Sequence, residues 1–363
     1  MKKTNFHALH LQSHAKMVSF AGFEMPIQYP TGIIAEHMAV RTNVGVFDVS
    51  HMGEVEVRGN QALEFIQKIS INDASKLSIG KAQYSAMCYN DGGIVDDMLV
   101  YYRGENYYML VINGACAEKD IAWMHEQAKE FNEVELKDIS DEINLLAVQG
   151  PKSIETLQKL TDTNLSDIPY YGFAEGIWAG IPMILSRTGY TGELGFELYF
   201  RGDETICASV WHALFDAGNE YGILPIGLGA RDTIRLEKGY CLYGNDIDNT
   251  TNPLEAGLGW ITKLAKGSFN GSDIIASVKE QGVSRRLVAF KVLADKFIAR
   301  QHYPIHHNGD IVGEVTSGNI SPILNCGIGM GYVPVSLSMP GSIINIAARG
   351  KEFEAEIIKL PFV

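Results

Sequence analysis

An α+β fold built on antiparallel sheets and closed by a C-terminal β-barrel is what this sequence predicts. Three observations carry that expectation. Helical and strand periods are mixed through the first two-thirds of the chain, and the strands there are joined by hairpin chemistry such as Asn90-Asp91-Gly92-Gly93. Beyond Arg285 the pattern changes to short strands separated by turn signals. At 363 residues the chain exceeds what one hydrophobic core usually serves, so two or three cores are expected.

Residues 34–41 and 61–69 have helical spacing, the second through Leu63, Phe65, Ile66 and Ile69. Strands are predicted at 44–49 and 53–57, then at 83–89, 95–102 and 107–112. A helix over 117–131 precedes a buried strand over 142–149, which Gly150-Pro151 ends. After a helix around 153–160 come strands at 184–187 and 196–200, joined by the Gly-rich loop 188–195. A helix over 204–217 is expected to pack on them. The final third reads as strands at 287–292, 311–316 and 331–333. A hairpin of 343–348 with 352–357 then turns at Arg349-Gly350-Lys351, and His307-Asn308-Gly309-Asp310 is a second tight turn. The polar, Gly-containing stretch 271–284 is the expected domain boundary. No internal repeat or low-complexity segment is visible.

Apolar residues at 46% and charged residues at 20% are those of a folded, soluble chain. The net charge of −13 is spread without blocks, which disfavours nonspecific nucleic-acid binding. An anionic ligand would be repelled by that field, so its site must supply local Arg or Lys. Cys88, Cys116, Cys207, Cys241 and Cys326 are scattered, odd in number and without C-x-x-C spacing, so neither a disulfide frame nor a metal site is suggested. The N-terminal residues interleave His7, His10, Gln12 and His14 with apolar ones, which is no export or transit signal, and no apolar run approaches the roughly 20 residues of a membrane span. A cytoplasmic protein is expected. His10 and His14 lie on an apparent N-terminal helix and read as surface or capping residues.

Four constellations hold candidate chemistry. In Gly92-Gly93-Ile94-Val95-Asp96-Asp97-Met98-Leu99-Val100-Tyr101-Tyr102 two acids interrupt a strand apolar on both faces. Alternation puts Asp97 with Val95, Leu99 and Tyr101 and turns Asp96 the other way, so they are not a carboxylate pair. A buried carboxylate costs several kcal/mol unless paired; a turn-capping Asp96 with a salt-bridged Asp97 is the structural alternative to a reactive acid. In Ser186-Arg187-Thr188-Gly189-Tyr190-Thr191-Gly192-Glu193-Leu194-Gly195-Phe196-Glu197-Leu198-Tyr199, Glu197 and Tyr199 share the face opposite Phe196 and Leu198. Such a Glu suits a flat heterocycle with adjacent N–H donors; a hairpin with a surface acid fits the pattern equally.

In Gly227-Leu228-Gly229-Ala230-Arg231-Asp232-Thr233-Ile234-Arg235-Leu236-Glu237-Lys238-Gly239, Arg231 and Arg235 lie one helical turn apart and call for an anion. A carboxylate ligand would serve, and so would Asp232 and Glu237. Asp246-x-Asp248 lacks the glycine and distal Glu of a calcium loop, and no metal is expected there. No Gly-x-Gly-x-x-Gly or Gly-x-Ser-x-Gly occurs, which removes the common dehydrogenase and hydrolase readings.

Together these stretches closely resemble the T-protein family of the glycine cleavage system. The matching segments are Phe20-Ala21-Gly22-Phe23-Glu24-Met25-Pro26, Phe47-Asp48-Val49-Ser50-His51-Met52-Gly53, 92–99, 187–197, 230–243 and Gly331-Tyr332-Val333-Pro334. Their order over the whole length makes the match specific. The resemblance implies a three-domain cloverleaf around a central folate channel. Residues 1–275 would form the folate-binding aminomethyltransferase region, as two interleaved subdomains with the second at roughly 52–140. Residues 283–363 would form the barrel. It also implies that Asp97 is the catalytic acid, Glu197 the pterin-reading acid and Arg231 the basic ligand residue. Tyr84, Tyr101, Tyr190, Met52 and Asn113 would line the folate pocket, and Arg235 would make an ion pair.

The implied reaction takes an aminomethyl group from the lipoyl arm of the lipoylated H-protein. Tetrahydrofolate N5 attacks its methylene carbon, ammonia leaves, and closure on N10 gives 5,10-methylenetetrahydrofolate. Some relatives continue past Pro361-Phe362-Val363 with a further ligand residue, and Asn319-Ile320-Ser321-Pro322-Ile323-Leu324 departs mildly from the family run. Two other functions occupy the same fold. Folate-binding iron–sulfur assembly factors carry Lys-Gly-Cys-Tyr-x-Gly-Gln-Glu, where this chain has Lys238-Gly239-Tyr240-Cys241-Leu242-Tyr243-Gly244-Asn245. Folate-dependent demethylases are usually fused to a flavoprotein, for which no dinucleotide fingerprint is present.

Overall fold

A computed structural model describes residues 1–295 and 297–363. The chain separates into two compact units, one of Met1–Ile66, Ala74–Tyr84 and Met98–Arg231, the other of Gln67–Asp73, Ser85–Asp97 and Asp232–Val363. Four of the five divisions fall inside a regular element, as at Asp97 and Met98 within the strand Ile94–Gly104.

The first unit is built on a six-stranded sheet in the order Phe173–Trp178, Ile181–Ser186, Gly195–Phe200, Asn144–Gln149, Gly45–Asp48, Leu224–Pro225. Every pairing is antiparallel except the last, where Leu224 and Pro225 run parallel to Gly45 and Val46. The helix Glu204–Gly218 begins where Asp203 accepts hydrogen bonds from the backbone N–H of Thr205 and Ile206, both at 3.0 Å. Its buried Cys207, Val210, Trp211 and Leu214 recur at helical spacing and join Leu146, Val148, Phe196 and Leu198 in one core. This agrees with the expected packing of 204–217.

The strand order of the second sheet is Lys81–Cys88, Ile94–Gly104, Tyr107–Ile112, Gly53–Arg58, Glu135–Asp138. In the second unit a closed barrel runs Arg285–Val292, Cys326–Pro334, Asp310–Ser321, Pro304–His307, Ile343–Ala348, Lys351–Ile358 and back to the first strand. Its inward residues, among them Phe290, Ile305, Val315, Ile344, Ile346 and Ala355, are buried. Both predicted turns have positive φ at their two central residues, Asn308 and Gly309 (54° and 90°) and Arg349 and Gly350 (51° and 74°). That left-handed conformation matches the twist of paired strands.

Several elements differ from the sequence expectation. Lys16–Phe20 and Phe23–Gln28 form a hairpin turned by Ala21 and Gly22, both at positive φ. Its polar–apolar alternation is weak, so it read only as a motif. Phe173–Trp178 is an edge strand, and the stretch 271–284 contains the helix Ser272–Gln281. The helix expected over 117–131 ends at Ala128. His10 needs a correction: it is fully buried, with Nε2 2.9 Å from Asp48 and Nδ1 2.9 Å from the Tyr29 hydroxyl. A carboxylate 38 residues away, invisible to local reading, makes that burial tolerable. His14 is exposed, as expected.

Candidate active site

In the first unit Glu197 sits at the centre of a hydroxyl cluster. Its strand is paired on both sides, with Glu197 opposite Ser186 on one neighbour and opposite Ala147 on the other. Alternation sends Phe196, Leu198 and Phe200 into the core and Glu197 and Tyr199 to the other face. Thr188 donates a hydrogen bond to Glu197 Oε2, and the Tyr199 hydroxyl lies 3.4 Å from the same oxygen. Oε1 receives neither bond. Tyr101, fully buried, adds its hydroxyl 3.0 Å from Ser186, 3.1 Å from Thr188 and 3.0 Å from Tyr199.

The glycines around this acid are demanded by one side chain. Gln149 Nε2 donates to the carbonyls of Thr188 (3.1 Å) and Phe196 (3.3 Å), and Thr191 donates to Gln149 Oε1 at 2.7 Å. A Cβ on Gly189 would stand 2.1 Å from Gln149, and one on Gly195 2.5 Å. A larger residue at either position would push that amide out of its hydrogen bonds. Arg41 holds the far side through the Thr191 carbonyl at 2.7 Å and Glu193 at 2.9 Å.

Burial pushes the Glu197 carboxyl above its ordinary range, while Thr188, Arg231 and Tyr199 pull it back. Tyr101 and Tyr199 are pushed up by burial and by Glu197, so both remain hydroxyl donors at neutral pH. The Arg231 guanidinium lies 4.8 Å from the centroid of the Tyr190 ring, within cation–π reach. Buried His51 is held near pKa 4 by desolvation and by the Arg231 charge, so its ring is neutral at pH 7. Phe20 meets that ring edge-on at 5.3 Å.

Glu197, Arg231, Tyr101 and Tyr190 therefore belong to one unit, and the first three are linked by hydrogen bonds or charge. Met52, Tyr84 and Asn113 are half-buried residues of that unit. Met52 follows a turn in which its N–H reaches the Val49 carbonyl at 3.0 Å, and the Asn113 carbonyl accepts from Cys116 N–H at 2.9 Å. Sequence reading missed His51, Gln149 and Thr188 as parts of this cluster. His51 and Thr188 stand inside quoted motifs, whereas nothing local to Gln149 announces its role.

Asp97 ends its segment of the second unit. It is half-buried while Asp96 is fully buried, as two successive strand residues facing opposite ways should be. The strand start is tied down by the segment that follows Leu242: Ile94 N–H reaches the carbonyls of Asp248 (3.1 Å) and Thr251 (3.2 Å), and the Tyr243 hydroxyl donates to the Ile94 carbonyl at 3.1 Å. A Cβ on Gly93 would stand 2.1 Å from the Asn249 carbonyl. Together with Asp246, the Asp97 charge raises the pKa of the nearby Cys241 thiol, burial being the larger cause.

Arg235 is an ion-pair residue, as the resemblance implied. It donates to Asp246 at 2.7 Å, Asp232 at 2.9 Å, the Tyr240 carbonyl at 3.0 Å and Ser317 at 2.8 Å. Asp232 is thus one internal partner; Glu237, the other candidate, instead accepts from Ser321 at 2.5 Å. Asp246, from the Asp-x-Asp stretch, is a structural anion that also accepts from Thr316 at 2.5 Å.

Residues 6–266 match the family described as the GCVT N-terminal domain, and residues 285–363 match the glycine cleavage T-protein C-terminal barrel domain. The chain belongs to the glycine cleavage T-protein family. It is 49% identical to an aminomethyltransferase of Halothermothrix orenii, with all of both chains covered. With one from Porphyromonas gingivalis the identity is 54%, covering 100% of this chain and 99% of that one. Its fold matches the crystal structure of the glycine cleavage system aminomethyltransferase T from Bartonella henselae, with a TM-score of 0.92, 32% identity, and 100% and 98% of the two chains covered. Among the described residues no helix is long and apolar enough to cross a membrane.

Proposed function

We propose that the chain, an aminomethyltransferase by family, moves the methylene of an aminomethyl-dihydrolipoyl carrier protein to tetrahydrofolate. Ammonia and 5,10-methylenetetrahydrofolate are the products. The observation that carries the folate assignment is the Glu197 carboxylate, whose Oε2 is occupied by Thr188 and Tyr199 while Oε1 takes neither bond. A carboxylate fixed along one edge and open along the other suits the adjacent N–H donors of a pterin. The donor set fits the rest of the ligand too, with an aromatic ring at Tyr190 and a cation at Arg231 to offset the global negative charge, while Tyr101, fully buried, supports the pocket from behind through its hydroxyl.

Tetrahydrofolate, when bound, supplies the nucleophilic nitrogen that accepts the one-carbon unit. The chain's own part is electrostatic and positional. Glu197 orients the ring, its hydroxyl neighbours keep the carboxylate in place, and Arg231 meets ligand carboxylate or ring charge. Asp97 is the acid that stabilises the positive charge building on the transferred methylene and the departing amine. Tyr84, Met52 and Asn113 complete the pocket walls. The lipoylated H-protein is the partner, and the cytoplasm the compartment.

The deciding experiment measures ammonia release from aminomethylated carrier protein with and without tetrahydrofolate. Release should depend on the folate. Release at full rate in its absence would overturn the reading.

A further inference from the structure

Glu54 is a buried acid that the reaction as described does not use. It lies on the strand Gly53–Arg58 in the first unit, is 1% exposed, and neither carboxyl oxygen has a hydrogen-bond partner among the described residues. Its own backbone is satisfied, since the N–H reaches Ser140 Oγ at 3.0 Å and the carbonyl accepts from Ile139 N–H at 2.9 Å. The unsatisfied group is the side chain alone. A buried carboxyl left without partners costs on the order of 1–3 kcal/mol, a cost that replacement by an apolar side chain would remove.

The sheet register shows which way that side chain faces. Glu54 stands opposite Val111, which stands opposite Leu99; one row along, Glu56 stands opposite Met109, which stands opposite Tyr101. Residues in register share a face, as do residues two apart, so Glu54 and Tyr101 lie on the same side of the sheet. That is the side on which the Tyr101 hydroxyl bonds Tyr199, Thr188 and Ser186 around Glu197. Glu197 and Asp138 are the charges that the Glu54 carboxyl senses, and Tyr199 senses Glu54 in turn. Burial, the largest effect, raises the Glu54 pKa well above the ordinary carboxylate range and so favours the neutral acid, which can both donate and accept.

The Tyr199 hydroxyl has a long bond to Glu197, at 3.4 Å. A pterin presents two adjacent N–H donors, one to each carboxylate oxygen, so the donor that reaches Oε2 competes there with the Tyr199 hydroxyl. We propose that Glu54 is a positioning residue of the folate site, a hydrogen-bonding acid in reserve that takes up the Tyr199 hydroxyl when the ligand engages Glu197. This rests on the folate reading above and adds a residue to it.

Two variants and one spectroscopic signature test it. Glu54→Gln keeps a neutral donor and acceptor of the same shape and should hold the KM for tetrahydrofolate within about twofold of wild type. Glu54→Met keeps the volume but removes both functions. It should raise KM about five- to tenfold with a smaller change in kcat, while the melting temperature stays level or rises. A KM in Glu54→Met equal to wild type would overturn the proposal. In unsubstituted enzyme, the infrared carbonyl stretch of the protonated carboxyl, identified by its loss in Glu54→Gln, should move to lower frequency on adding tetrahydrofolate. A band that stays put also overturns it, whether or not the methionine variant folds. Calorimetric titration of the same samples separates the two readings, because absence of tetrahydrofolate binding to wild type defeats the folate assignment, whereas binding with an unmoved band defeats only the role of Glu54.

Discussion

At the residue scale, the site is a set of ionisable groups whose environments push them in different directions. Asp97→Asn keeps shape and polarity but removes charge, so turnover should fall by at least about 100-fold while tetrahydrofolate binding is retained. Unchanged turnover in a steady-state ammonia assay would refute the catalytic assignment. Glu197→Gln should weaken folate binding by roughly tenfold or more, because one ligand N–H then faces an amide N–H. The same variant should be more stable than wild type at neutral pH. The Glu197 pKa is raised by burial, so ionisation is a cost to the folded state that vanishes as pH falls through the carboxylate range. Chemical denaturation of both proteins at two pH values reads this directly.

His51 works in the opposite sense. Its folded pKa is near 4 against an ordinary 6.5, so the unfolded chain takes up a proton over that interval and the folded chain does not. Stability is lost as pH drops from 6.5 to 4, by about 3 kcal/mol at the acid end, and His51→Gln should abolish that part of the slope. Residue types and motif positions are what single out Asp97, Glu197 and Arg231 in the sequence as the candidates proposed above. His10 was misread because its partners Asp48 and Tyr29 are distant in sequence, and a histidine between apolar residues gives no local sign of being paired.

At the element scale, the pattern predicted the strands well where an apolar run follows a glycine-rich turn, as in Ile94–Gly104 and Gly195–Phe200, and missed the edge strand Phe173–Trp178 and the hairpin beginning at Lys16. The helix Leu228–Glu237 shows how one element serves two purposes. Arg231 contributes charge to the Glu197 cluster in the first unit, and Arg235, one turn on, is locked inside the second by Asp232 and Asp246. The Arg235 side chain is 3% exposed and that of Asp246 0%. Removing the cation alone strands a buried anion, so Arg235→Met should destabilise the protein by about 3–5 kcal/mol. Arg235→Met with Asp246→Leu should recover a large part of that loss, as measured by urea unfolding. Equal instability of the single and double variants would show that packing, not the stranded charge, dominates.

At the scale of the whole molecule, a net charge of −13 would oppose the approach of the proposed anionic ligand, tetrahydrofolate. Long-range repulsion is screened as the Debye length shortens from about 30 Å at 0.01 M salt to about 8 Å at 0.15 M, whereas short-range attraction by Arg231 is less affected. The association rate of tetrahydrofolate should therefore rise severalfold with ionic strength over that range, and Arg231→Gln should lower affinity at every salt concentration. An association rate that falls with salt would mean that local cations, not the global charge, govern approach.

Family, mixed architecture and terminal barrel were all legible in the chain, because they depend on periodicity, turn chemistry and motif order, which are local and survive translation into residue letters. The pairing of Gln149 with the Thr188 loop, the burial of His10 against Asp48, and the register that sets Glu54 on the same face as Tyr101 were settled only by folding. Each joins segments tens of residues apart, and a strand's face and a buried group's partner exist only once its neighbours are in place.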